Sequence, residues 1–83
     1  MIEELKTFTE ELVKSLVTEP DLVKVKDFKD EEENPIIEIM VSEADMGKVI
    51  GKSGKMAKAI RTLVQATAFN KGINRVKINI DSF

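Results

Sequence analysis

Between residues 2 and 17, apolar side chains recur at intervals of mostly three and four: Ile2, Leu5, Phe8, Leu12, Val13 and Leu16. That spacing lines one side of a helix, so a first helix is predicted over 2–17. Pro20 ends it, because proline donates no backbone hydrogen bond and biases Glu19 away from helical dihedrals. The period then drops to two. In "LVKVKDF", residues 22–28, Val23, Val25 and Asp27 alternate against Leu22, Lys24, Lys26 and Phe28, which predicts a strand. The acidic run "KDEEENP", residues 29–35, suits a solvated hairpin turn. Its carboxylates lack the alternating ligands and glycine of an EF-hand loop, so no calcium is expected there. "IIEIMV", residues 36–41, resumes the alternation as a second, well-covered strand.

Ser42, with Asp45 three residues later, resembles a capping box that would start a short helix running to about Ile50 and stopping at Gly51. After Gly54, the residues Met56, Ile60, Leu63, Val64 and Thr67 predict a longer helix to about Asn70, closed by Gly72. "NRVKINI", residues 74–80, sets Val76, Ile78 and Ile80 against Arg75, Lys77 and Asn79, a third strand. The order α-β-β-α-α-β predicts one α+β domain over residues 1–83, with two layers: three helices packed on one face of a three-stranded sheet.

Composition narrows the chemistry. The 83 residues are 42% hydrophobic, enough for one modest core. No apolar run approaches the roughly 20 residues that cross a bilayer. The start, "MIEELKTFTEEL", is acidic where a signal peptide is basic, so a cytoplasmic address is expected. Histidine and cysteine are absent, which removes the commonest general base, thiol nucleophiles and thiolate metal sites. No enzyme activity, metal, cofactor or small-molecule substrate is expected.

Charge changes the picture most. Residues 1–45 carry 5 Lys against 14 Asp and Glu, a net of −9; residues 46–83 carry 8 Lys and Arg against 1 Asp, a net of +7. The overall −2 hides this division, which predicts an electropositive face and anionic partners. The cations gather around "KVIGKSGKMAKAIRTL", residues 48–63. A tight turn there presents the N-terminus of the following helix, where free N–H groups and the macrodipole favour phosphate. Gly51 and Gly54 would let a sugar-phosphate chain approach the backbone, and Lys48, Lys52, Lys55, Lys58 and Arg61 follow at spacings of three or four. Two glycines in a helix corner can equally be a C-cap and a sharp bend, and surface lysines are common. The ordered context gives the pair its weight.

"VIGKSGKMA", residues 49–57, resembles the "hIGxxGxxh" core of the KH domain, and the element order resembles its type II arrangement. More narrowly, "DMGKVIGKSGKMAKAIRTLV", residues 45–64, resembles small bacterial single-KH proteins of the KhpA type. Ala57 stands where many KH domains carry a larger aliphatic. The resemblance implies single-stranded RNA as partner, with the backbone of about four nucleotides clamped by Gly51, Lys52, Ser53, Gly54 and Lys55, flanked by Lys48, Lys58 and Arg61. It implies an aliphatic base groove with candidate walls Val49, Ile50, Met56, Val41, Met40 and Ile60; for Ile60, ordinary core is the stronger reading. It further implies a homodimer or a mixed dimer with a larger multidomain KH-containing protein, a role as RNA chaperone or post-transcriptional regulator, and a link to cell elongation. The chain has no Trp or Tyr, so the aromatic platform of other RNA-binding folds is not evident.

Other readings are weaker. "GKVIGKS", residues 47–53, nearly spells a P-loop, but three residues separate its glycines where four are needed. A pure protein-interaction or dimerisation module would use Ala59, Val64 and Ala66, left over on the long helix. A membrane-surface helix is disfavoured by the absence of Trp and by the core's need for the same apolar side.

Overall fold

A computed structural model describes residues 1–83. It contains α1 (Ile2–Lys14), β1 (Lys24–Lys29), β2 (Pro35–Val41), α2 (Met46–Ile50), α3 (Lys55–Asn70) and β3 (Lys77–Ser82). The expected α+β order and two-layer build are present. β2 is central in the order β1-β2-β3, antiparallel to β1 and parallel to β3. A parallel neighbour needs a long crossover, which α2 and α3 supply.

Alternation decides which side of the sheet is covered. Ile37, Ile39 and Val41 of β2 and Ile78 of β3 are buried in a cluster with Leu5 and Val13 of α1, Val49 of α2, and Ile60, Val64 and Ala68 of α3. Their partners in the alternation, Ile36, Glu38 and Met40, stand on the other face beside Lys24, Lys26 and Phe28 of β1 and Lys77, Asn79 and Asp81 of β3. Each fully buried aliphatic stabilises the fold by roughly 1.5–3 kcal/mol, so the helices are held by this one face. Thr9 is buried within α1, and its hydroxyl donates to Leu5 O at 2.8 Å, which removes the cost of an unpaired polar group. Lys6 joins α1 to β1 through Asp27 at 3.0 Å; the hydrogen bond to that carboxylate raises the Lys6 pKa above its ordinary value.

Four local expectations need correction. α1 ends at Lys14 rather than 17, because the Ser15 and Leu16 N–H groups turn back onto Leu12 O and Val13 O and tighten the last turn. β3 begins at Lys77, opposite Ile36, because β2 itself starts only at Pro35 and offers residues 74–76 little to pair with. Ser42 and Asp45 form no capping box: neither side chain caps a helix N–H, and the Ser42 hydroxyl instead donates to the Asp45 carboxylate at 3.1 Å. Val64 is not left over for a partner. The buried stripe of α3 is Ala57, Ile60, Val64 and Ala68, which rotates Leu63 outward to 49% exposure.

Candidate nucleic-acid interface

The segment between α2 and α3 is one 3-10 turn, Lys52–Gly54, entered through Gly51. Three of these residues have positive φ: Gly51 (76°), Ser53 (56°) and Gly54 (74°). The glycines serve different purposes. A Cβ on Gly51 would lie 2.6 Å from Met56 Cβ and 2.8 Å from Met56 N, so the chain's own packing requires glycine there. A Cβ on Gly54 would meet nothing within 4 Å. Gly54 therefore answers to backbone conformation alone and borders open space, where an incoming chain can approach.

α3 starts without a side-chain cap. Its first-turn donors receive no acceptor from any side chain, and the positive end of a 16-residue helix opens at the turn. Around it Lys48, Lys52, Lys55 and Lys58 are all exposed. None has an acidic partner, since the ion pairs of the protein involve the N-terminus, Lys6, Lys14, Lys29 and Lys71. Charge that is neither paired nor buried is available to an external anion. Arg61 differs: its Nε donates to Ile78 O at 3.3 Å, tying it to β3.

The predicted groove is largely core. Val41 and Val49 are wholly buried and Ile60 nearly so, which leaves them no surface to offer a base. Met40 belongs to the sheet face away from the helices. Only Ile50 and Met56 among those six are part-exposed next to the turn. Ala57, at the position where many KH domains carry a larger aliphatic, is buried at 3% exposure in the α3 stripe. The principal cavity, about 280 Å³ beside Ile2, Phe28, Pro35 and Ile73, contains none of the predicted site residues.

One residue important to the site's placement was misread. Asp45 is fully buried at the entrance to α2. Its carboxylate accepts from Thr18 N (3.0 Å), Thr18 Oγ1 (2.8 Å), Glu19 N (3.0 Å) and Ser42 Oγ. The connector after α1 is thereby pinned to the segment that aims α2 and the turn. The Thr18 backbone bond, with the other donors, holds the Asp45 pKa below the usual carboxylate value against the opposing effect of burial.

The sequence profile of the family described as "KhpA/KhpB, KH domain" matches residues 6–80. The chain belongs to this KhpA/KhpB KH-domain family. It is 49% identical over 67 residues to the RNA-binding protein KhpA of Clostridium perfringens, covering 81% of this chain and 88% of that one. Against RNA-binding protein KhpA of Clostridium acetobutylicum the identity is 45% over 76 residues, covering 92% and 99%. Among solved structures, the crystal structure of Era in complex with MgGDPNP and nucleotides 1506–1542 of 16S ribosomal RNA superposes with a TM-score of 0.66. It covers 95% of this chain and 30% of Era at 22% identity, a likeness of fold. For this member of the KhpA/KhpB family, the Gly51–Gly54 turn is thus the "GxxG" of a KH domain.

Proposed function

We propose that the chain binds single-stranded RNA by gripping the backbone at Gly51-Lys52-Ser53-Gly54-Lys55, with Lys48, Lys58 and Arg61 supplying charge around it. The observation that carries this is the uncapped start of α3 behind a Gly54 that borders open space, ringed by lysines with no acidic partner. Relatives named RNA-binding proteins support the choice of anion. The part-exposed Ile50 and Met56 are the groove walls that remain accessible to bases.

A grip on about four nucleotides is weak by itself, so pairing of two copies raises affinity through effective concentration. Ala59, Leu63 and Ala66 are exposed on the outer side of α3 and offer an apolar strip for that pairing. The pairing is a homodimer or a mixed dimer with a larger KH-containing protein. An RNA-chaperone or post-transcriptional role in the cytoplasm, bearing on cell elongation, follows the family resemblance. In the rival reading the same strip serves protein contacts alone.

The deciding experiment is the double substitution Lys52→Asp and Ser53→Asp. Asp tolerates the left-handed conformation of position 53, so the circular-dichroism spectrum stays unchanged. RNA crosslinking in cells falls at least about tenfold as two anions replace a phosphate-facing surface, and in vitro the wild-type salt slope is about −2 to −3 for three or four phosphates. Unchanged crosslinking would leave only the protein-contact reading.

A further inference from the structure

Asp45 is a buried carboxylate that takes part in no ion pair. Its four donors, Thr18 N, Thr18 Oγ1, Glu19 N and Ser42 Oγ, are all neutral. A buried charge is costly unless its lone pairs are filled, and four bonds fill them. Three of the four come from residues 26 and 27 positions away, on the connector between α1 and β1. Capping a helix needs no such reach. What the bonds achieve is to fasten that connector to the residue immediately before α2.

The element held there is short. α2 has five residues, of which Val49 alone is buried, whereas α3 has 16 and buries Ala57, Ile60, Val64 and Ala68. α3 is fixed along its length. α2 depends on its two ends: Asp45 at the start, and Gly51 packed closely on Met56 at the finish. Lys48 rides on α2, Lys52 on the turn and Lys55 on α3, so the angle of α2 sets how far apart the two sides of the turn hold their charges. Five helical residues rise about 7.5 Å. A tilt of about 10° at the base therefore displaces Gly51 by about 1.3 Å, where a binding group has to be placed within about 0.5 Å.

Resting on the RNA reading above, we infer that Asp45 is a positioning residue for the RNA grip: by fastening Thr18 and Glu19 to the base of α2, it sets the opening of the turn that receives phosphate. It touches no RNA itself. The connector is thereby part of the binding apparatus, although residues 15–23 carry no cation of their own.

The test compares two threonine-to-valine substitutions, each of which removes one hydroxyl. Thr18→Val takes away the 2.8 Å bond to Asp45 Oδ1, and Thr9→Val takes away the 2.8 Å bond to Leu5 O inside α1. Thr18 is exposed, so valine there disturbs no packing. Both variants lower the urea midpoint. Affinity for a random single-stranded RNA octamer is then measured at fixed salt and at a temperature where every variant is folded. Thr18→Val weakens it about three- to tenfold and shifts the amide resonances of Gly51 and Gly54, with the salt slope kept because no cation is lost. Thr9→Val leaves affinity and resonances as in the wild type, and Thr18→Ser, which keeps the hydroxyl, does the same. Unchanged affinity in Thr18→Val, an equal loss in Thr9→Val, or a loss that persists in Thr18→Ser overturns the positioning role while leaving the grip intact. A wild type that retains no octamer overturns the grip itself, and the positioning role with it.

Discussion

The protein contains two tight turns of opposite character. The hairpin turn between β1 and β2 folds in on itself: Asp30 Oδ1 accepts from Glu32 N at 2.9 Å and Asn34 N at 2.8 Å, and Glu33 pairs with Lys29 at 3.7 Å. The turn between α2 and α3 has no side-chain cap, and its lysines have no acidic partners. Each also holds a non-glycine residue at positive φ, Glu33 at 66° and Ser53 at 56°. Backbone strain of the same kind thus serves a turn whose donors a side chain accepts in one place and a turn closed by its own carbonyls, with no side-chain cap, in the other. Both turns close backbone hydrogen bonds of their own; what sets the second apart is a helix start with no side-chain cap and lysine charge that no acidic residue of the protein neutralises.

The largest effect separates the two glycines of the open turn. Gly51→Ala drives a Cβ into Met56 and forces a conformation of φ 76°, ψ 175° that only glycine adopts readily. The expected loss is about 2–4 kcal/mol, read as a lower urea midpoint with unchanged slope. Gly54→Ala, in a left-handed conformation beside open space, should lose about 1–2 kcal/mol. Its RNA crosslinking should fall by more than its stability accounts for. Equal losses of stability at the two positions would show that the glycines do not divide the work between packing and approach.

A smaller effect appears on acidification. Asp30 and Asp45 are both held below the ordinary carboxylate pKa, chiefly by the backbone N–H of Asn34 for Asp30 and of Thr18 for Asp45. A depressed pKa contributes stability that is complete above the unfolded value of about 3.9 and is lost as pH falls through the folded one. The urea midpoint should therefore hold between about pH 5 and 7 and drop below about pH 4. Asp45→Asn should remove most of that acid-dependent drop and Asp30→Asn less, because Asp30 is exposed to water while Asp45 is enclosed. A drop untouched by Asp45→Asn would show that its clamp on Thr18 and Glu19 is not what acid releases.

Periodicity carried the element order, because each helix and strand buries one face and the spacing of apolar residues follows from that. The charge division was equally legible, since it needs only counting. What spacing could not separate was a core wall from a groove wall: Val41, Val49 and Ile60 have the right chemistry for either, and only the packing of α2 and α3 on the sheet buries them. Asp45 was misread because its spacing from Ser42 imitates a capping box, while its strongest partners lie 26 and 27 residues away. Arg61 was legible as a charge. Its bond to Ile78, 17 residues distant, depends on the antiparallel run of α3 along β3, which no local pattern records.

The smallest effect tests whether the strain shared by the two turns has the same meaning in both. Ser53→Gly relieves roughly 1 kcal/mol of left-handed strain, but the freer unfolded chain takes back about 0.5–1 kcal/mol. The net gain is a few tenths of a kcal/mol, about 1–3 °C in melting temperature for a domain of this size. Glu33→Gly has the same balance and also loses an exposed ion pair with Lys29, worth about 0–1 kcal/mol, so its melting temperature should stay level or fall slightly. RNA tells them apart. If the turn is the phosphate grip proposed above, a glycine at position 53 loosens it and affinity should fall about two- to threefold, while Glu33→Gly leaves affinity unchanged at matched salt. Tighter RNA binding by Ser53→Gly would mean that the strained turn is not the form that binds.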